Sequence, residues 1–142
     1  MCSLVYVFIA SLIDYCNALL YCITDGVIRR LQSVLHAAAR LMTGIRRYEH
    51  ITPTLRDTLH WLPISRRITF KMALMMFDCS RGRCPKYFGD VYTPVDTVAA
   101  RSRLRSADHG DLIVPRVRST RFDSRSLRVC GPTIWKELSQ EL

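Results

Sequence analysis

The chain is short of lysine. Of its 21 basic residues only Lys71, Lys86 and Lys136 are lysines, and the other eighteen are arginine. It also never sets two carboxylates side by side: its twelve acidic residues stand singly. A two-magnesium phosphoryl-transfer site needs carboxylates gathered on one turn to hold the metals, so the paired-aspartate form of such a site is excluded. There is no glycine-rich phosphate loop, no nucleophile elbow and no histidine pair at helical spacing. Their lack removes the usual signatures of nucleotide-binding, hydrolase and zinc-protease chemistry. No catalytic residue and no cofactor is expected, and the chain does not read as an enzyme.

Six cysteines, at positions 2, 16, 22, 79, 84 and 130, form no pair of short metal-ligand spacings. A structural zinc site needs four such ligands with tetrahedral reach, so no metal is expected. Cys2, Cys16 and Cys22 fall in an apolar helical stretch, where a free cysteine acts as a small hydrophobe. Reduced thiols and an intracellular location, nucleus or cytoplasm, are the expectation. Cys2 to Ile13 carries no charge, yet no basic residue follows Met1 as a signal peptide would require. A spanning helix would hold Asp14 near its centre at a cost of roughly 2.5–3.5 kcal/mol. Membrane insertion is not expected. A helix apolar all round must be buried, so this segment should dock on an upstream domain or on itself through Val5, Phe8, Ile9 and Leu12.

What the chain does have is length and apolar content enough for a core: 142 residues, 49% of them hydrophobic. The expected class is mainly α, three or four packed helices with a small C-terminal β-hairpin. One domain spans residues 1–142, with a helical part over 1–80, an irregular connection over 81–100, and a basic hairpin plus terminal helix over 101–142. Ile28, Leu31, Leu35, Ala38 and Met42 step by three and four between a Thr24 or Asp25 cap and Gly44. Arg29, Ser33, His36 and Arg40 form a second ridge, which Arg46 and Arg47 extend. Thr52-Pro53 opens a short helix to about His60, after which Trp61 turns inward. Ser65 caps a third helix, with Arg66, Arg67 and Lys71 in its early turns. Ile68, Met72, Met75 and Met76 make its core stripe, widened by Phe70, Leu74 and Phe77. Gly82, Pro85, Gly89 and Pro94 then break regular structure. Residues 112–118 read as a strand, with 107–111 as the turn before it. Between 101 and 128 stand eight arginines and three aspartates. In that half Phe122 could stack on a base, whereas Trp135 suits core packing better.

His60-Trp61-Leu62-Pro63-Ile64, with Arg67-Ile68-Thr69-Phe70-Lys71 behind it, resembles the region downstream of the reverse transcriptase core in jockey-like and related LINE-type retrotransposon proteins. Leu12-Ile13-Asp14-Tyr15-Cys16-Asn17-Ala18-Leu19-Leu20-Tyr21 is similar to that family's Leu-Asp-Tyr-Cys-Asn-x-Leu-Leu-Tyr-Gly block. Ile28 to Val34 and Ala37 to Leu41 look like its Ile-x-x-Leu-Gln-x-Val-x-x-Ala-Ala-Arg helix. His50-Ile51-Thr52-Pro53, Cys84-Pro85-Lys86-Tyr87, Leu104-Arg105-Ser106, Val114-Pro115-Arg116 and Gly131-Pro132-Thr133-Ile134-Trp135 follow in the family's order. The departures are Cys22 in place of glycine, Leu12 where a basic residue is common, and Lys136 and Ser139 in place of asparagine and proline. The family's catalytic Asp-Asp turn has no counterpart here.

The resemblance implies a non-catalytic accessory region whose partner is RNA or an RNA–DNA hybrid. An arginine-rich surface with a formal net charge of +9 suits that role, because the guanidinium fork matches phosphate oxygens. The candidate phosphate contacts are Arg29, Arg40, Arg46, Arg47, Arg66, Arg67, Arg103, Arg105, Arg116 and Arg118. The alternatives are a protein-docking element, or a relic of a degenerate element copy with no function of its own.

Overall fold

A computed structural model describes residues 2–89, 91–100, 102–103, 110–117 and 123–141. The architecture is mainly α. Among the described residues four α-helices, α1 (Cys2–Asp14), α2 (Asp25–Thr43), α3 (Ile64–Ser80) and α4 (Leu127–Glu141), are joined by short 3-10 turns and one π turn. Where the length suggests one domain, the chain divides into two compact units, Met1–Ile68 and Thr69–Leu142, with the boundary inside α3. The physical reason is that each half closes an apolar cluster of its own.

The first unit is built on α2. Its apolar residues recur at helical spacing, so Leu35, Ala38 and Ala39 are buried while Ile28, Leu31 and Met42 flank them. The small Ala38 and Ala39 let α1 approach, and Ile13 enters the same cluster. Thr24 stands at the N-cap, but its side chain makes no capping bond. The C-terminus is closed by Gly44, whose φ of 72° is the left-handed geometry that glycine adopts freely. Its N–H donates to the Arg40 carbonyl at 2.8 Å.

The short helix expected over 52–60 is one turn widened into a π turn at Thr54–Thr58. Leu59 N–H reaches the Thr54 carbonyl and Trp61 N–H reaches that of Leu55. The wide turn, with His60 at a φ of 52°, carries Trp61 back into the core. There its ring stacks on Tyr6 at 4.9 Å between centroids.

Ser65 does not cap α3. The helix starts at Ile64, whose N–H donates to Gln32 Oε1 at 2.9 Å, while Arg67 N–H donates to the Pro63 carbonyl. The first turn is thus closed by a side chain from α2, which no local pattern announces. Ile68, Met72 and Met76 are buried as expected, but Phe70, Leu74 and Phe77 are exposed. At about 100° per residue, each of these three lies about 180–240° round the helix from Ile68. They cannot widen the inner stripe. The Arg81 guanidinium covers the Phe77 ring instead.

In the second unit Met76, Tyr92 and Leu112 form the core, with Phe88, Val91, Leu127 and Trp135 around it. Buried Gly131 and Pro132 lie within α4, where a Cβ on Gly131 would come within 2.6 Å of Met76 Sδ. The hairpin expected over 101–118 falls partly outside the described residues. Among the described residues there is no strand, and Leu112 forms an isolated antiparallel bridge with Pro94. Val95 N–H and Ile113 N–H complete that bridge, to the carbonyls of Asp111 and Thr93.

Reduced thiols do not hold throughout. Cys79 and Cys84 are joined in a disulfide that closes the turn after α3. Cys16 and Cys22, expected in an apolar helix, are exposed and take left-handed φ values of 51° and 55°. Both lie beyond the end of α1, where the chain reverses through a 3-10 turn at Asn17–Leu20. No helix among the described residues is long and apolar enough to cross a membrane.

Candidate nucleic-acid interface

Two of the expected phosphate contacts are committed elsewhere. Arg67 is about 10% exposed, and its Nη1 lies 2.9 Å from Asp14 Oδ2. Its Nε donates to the Leu62 carbonyl. The charge at the end of α1 and the charge at the start of α3 therefore neutralise one another inside the unit. Asn17, almost fully buried, adds its amide to Asp14 Oδ1. Arg40 is the second case. It is half-buried and turned along the loop, where its Nη2 donates to the Glu49 carbonyl at 3.0 Å. Arg67 is a structural arginine, nearly closed off by burial, whereas Arg40 keeps part of its side chain in solvent and spends one donor on a backbone carbonyl.

His36 also leaves the expected ridge. Ile64 N–H can only donate, so it fixes Gln32 with its oxygen toward α3 and its NH2 toward His36. The Gln32 amide then donates to His36 Nε2 at 2.8 Å, which requires a neutral ring. Burial first, and the Arg40 charge second, hold the His36 pKa below its ordinary 6.5.

Arg29, Arg46, Arg47 and Arg66 are exposed on the first unit. Arg29 Nε leans back toward the Asp25 carbonyl at 3.4 Å, a long contact that leaves the guanidinium in solvent. On the second unit Arg103 and Arg116 are exposed, while Arg105 and Arg118 lie outside the described residues. Phe122 lies outside them as well. Trp135 packs with the second core and donates from Nε1 to the Gly110 carbonyl, so it is a packing residue.

The first unit holds a cleft of about 780 Å³, walled by Gln32 and His36 of α2, by Arg56 and His60, and by Arg66 of α3. Leu55, Trp61, Leu62 and Pro63 give it an apolar lining. Arg56 and Arg66 stand exposed at the rim. Arg56 pairs with an exposed neighbour, Asp57, at 4.0 Å, a pairing too weak and too wet to hold it. Comparison of the chain with protein families, with curated proteins and with solved structures finds no match.

Arg56 is absent from the ridge expected by sequence. It sits singly between Leu55 and Asp57, and the π turn places it on the wall of the cleft that Arg66 also lines. Two guanidiniums with an apolar lining can hold a phosphate and leave room beside it for a sugar or base. Among the described residues, no group of three or more His, Cys, Asp or Glu side chains is set to hold a metal ion.

Proposed function

We propose that this chain is a non-catalytic module that binds RNA or an RNA–DNA hybrid through arginine–phosphate contacts. In this role it stands as the accessory region downstream of a LINE-type reverse transcriptase core does in the proteins it resembles. The observation that carries the reading is the cleft of the first unit, with Arg56 and Arg66 at its rim and His60 beside them. Arg29, Arg46 and Arg47 add exposed positive charge on the same unit.

The resemblance gains support from where its motif residues lie. Asp14 of the first block meets Arg67 of α3 and is held by Asn17 of its own block, and Gln32 of the second block holds Ile64 of the turn. Cys22, at the family's glycine, has the left-handed backbone that glycine adopts without strain.

The test is binding to labelled RNA, duplex DNA and hybrid over a salt series, beside a variant with Arg46, Arg47, Arg56 and Arg66 changed to glutamine. Affinity should fall log-linearly with salt, with a slope of about −0.7 per phosphate contact on single strands and about −0.9 on duplex. The variant should bind more weakly and less steeply. A salt-independent affinity, or a variant that binds like the parent, would rule the reading out.

A second reading is favoured by one observation. Leu4, Phe8, Leu12, Tyr15 and Leu19 are each more than 60% exposed, along and just beyond α1. Such a stripe is the mark of a docking surface. Of the residues expected there, Val5 and Ile9 are partly buried against the unit's own core, and Phe8 and Leu12 alone face outward.

A further inference from the structure

The turn over residues 44–50 carries a feature that arginine–phosphate contacts leave unused. Tyr48 is 80% exposed and follows directly on Arg46 and Arg47, which are exposed too. We infer that Tyr48 is a stacking platform for an unpaired base, and that this turn is a single-stranded RNA site. The inference rests on the nucleic-acid reading and narrows it to one class of ligand at one residue.

The turn is held at both ends. Ile45 packs against the core before it and Ile51 is buried after it. Gly44 N–H closes α2 on the Arg40 carbonyl, and Glu49 N–H donates to the Arg46 carbonyl at 3.2 Å. The Arg40 side chain then ties the far arm back to α2 through the Glu49 carbonyl. Through that bond Arg40 is a positioning residue for the turn. A ring presented by a braced turn loses little conformational freedom when a base lands on it.

Two other tyrosines are similarly exposed, and neither has this setting. Tyr15 belongs with the apolar stripe and has Asp14 and Cys16 as neighbours. Tyr87 lies against Phe88, 4.7 Å between ring centroids. Tyr48 has no ring partner among the described residues, and two guanidiniums precede it. Aromatic rings interleaved with cations are how sequence-tolerant single-strand sites work, since every base offers a π-face and every linkage a phosphate. Bases within a duplex are already stacked on each other, so the ring discriminates against paired RNA.

The experiment measures affinity of the full chain for a fluorescein-labelled unstructured RNA of sixteen nucleotides and for a blunt RNA duplex, with Tyr48→Ala and Tyr48→Phe beside the parent. Stacking of one base sets the expected loss for Tyr48→Ala on the single strand at roughly 5- to 150-fold. Duplex affinity should change less than twofold, and Tyr48→Phe should bind like the parent on both. If the parent binds both RNAs with the expected salt response but Tyr48→Ala matches it on the single strand, the platform is wrong and the arginine reading stands. Equal losses on both RNAs would also overturn the platform, as a structural effect. A parent that binds neither RNA would overturn the platform, and one that also fails on the RNA–DNA hybrid would overturn the arginine reading with it.

Discussion

Arg67 and Asp14 are 53 positions apart in the chain, yet their side chains meet at 2.9 Å with Arg67 the more deeply buried partner. Removing the carboxylate leaves a guanidinium with its charge uncompensated in the interior. Asp14→Ala should therefore destabilise the first unit by about 2 kcal/mol. This is less than for a fully enclosed pair, because Asp14 is 41% exposed and water screens it. Urea unfolding of Asp14→Ala, Arg67→Met and the double variant would check this. The double variant should be less destabilised than the sum of the singles.

Cys22 holds a left-handed backbone with its side chain in solvent. Glycine there relieves the Cβ clash but adds freedom to the unfolded chain, so the two effects partly cancel. Cys22→Gly should stabilise the protein by about 0.5–1 kcal/mol, read as a higher urea midpoint at unchanged slope. A lower midpoint would contradict the assigned backbone.

His36 must be neutral to accept from Gln32. Its folded pKa lies below the unfolded 6.5, so the unfolded state takes up the proton first as pH falls. The stabilisation is present above pH 6.5 and is lost as pH drops through the lower folded value. Urea unfolding at pH 7.5 and pH 5.5 should show a larger loss on acidification for the parent than for His36→Gln. An equal loss in both would remove His36 as the cause.

On α1, Phe8 and Leu12 face outward while Val5 and Ile9 pack inward. Phe8→Ser with Leu12→Ser should lower self-association in sedimentation runs and leave the circular dichroism unchanged. Val5→Ser with Ile9→Ser should instead cost about 2 kcal/mol or more of stability, from lost apolar burial. If both pairs behave alike, the two sides of the helix are misassigned.

Gly131 lies against Met76 closely enough that a methyl group would overlap the thioether. Met76 is itself fully buried and has little room to yield. Gly131→Ala should cost about 1–2 kcal/mol by overpacking, despite alanine's better helix propensity. A thermal midpoint at or above that of the parent would show that the wall gives way.

Periodicity made α2 legible: its apolar stripe and its glycine stop follow from residue spacing, while His36 and Arg40 depart from the polar ridge. The inward turn at Trp61 was legible from a proline two residues on. Other features depend on contacts distant in sequence. Gln32 caps a helix 32 positions away, and Arg67 looks like any surface arginine until Asp14 is placed beside it. Arg40 is alike in part, because spacing along α2 does not show that one of its donors is spent on the Glu49 carbonyl. Arg56 stands alone in the sequence and folding supplies its setting, while Tyr48 follows Arg46-Arg47 directly but shows its exposure only in the fold. The outward turn of Phe70, Leu74 and Phe77 was there to be read, since helical geometry alone sets them opposite Ile68.

The Gly131-Pro132 step inside α4 bears on the order in which the second unit is made. Proline removes an N–H and clashes with the preceding turn, and glycine adds unfolded freedom. A fifteen-residue segment carrying both has little tendency to wind by itself. It becomes a helix only when Met76 and Tyr92 already offer a surface for Gly131 to close upon. Winding and docking are then a single late event, and the amides of α4 should open to solvent together, in one cooperative step, rather than fraying from the end inward.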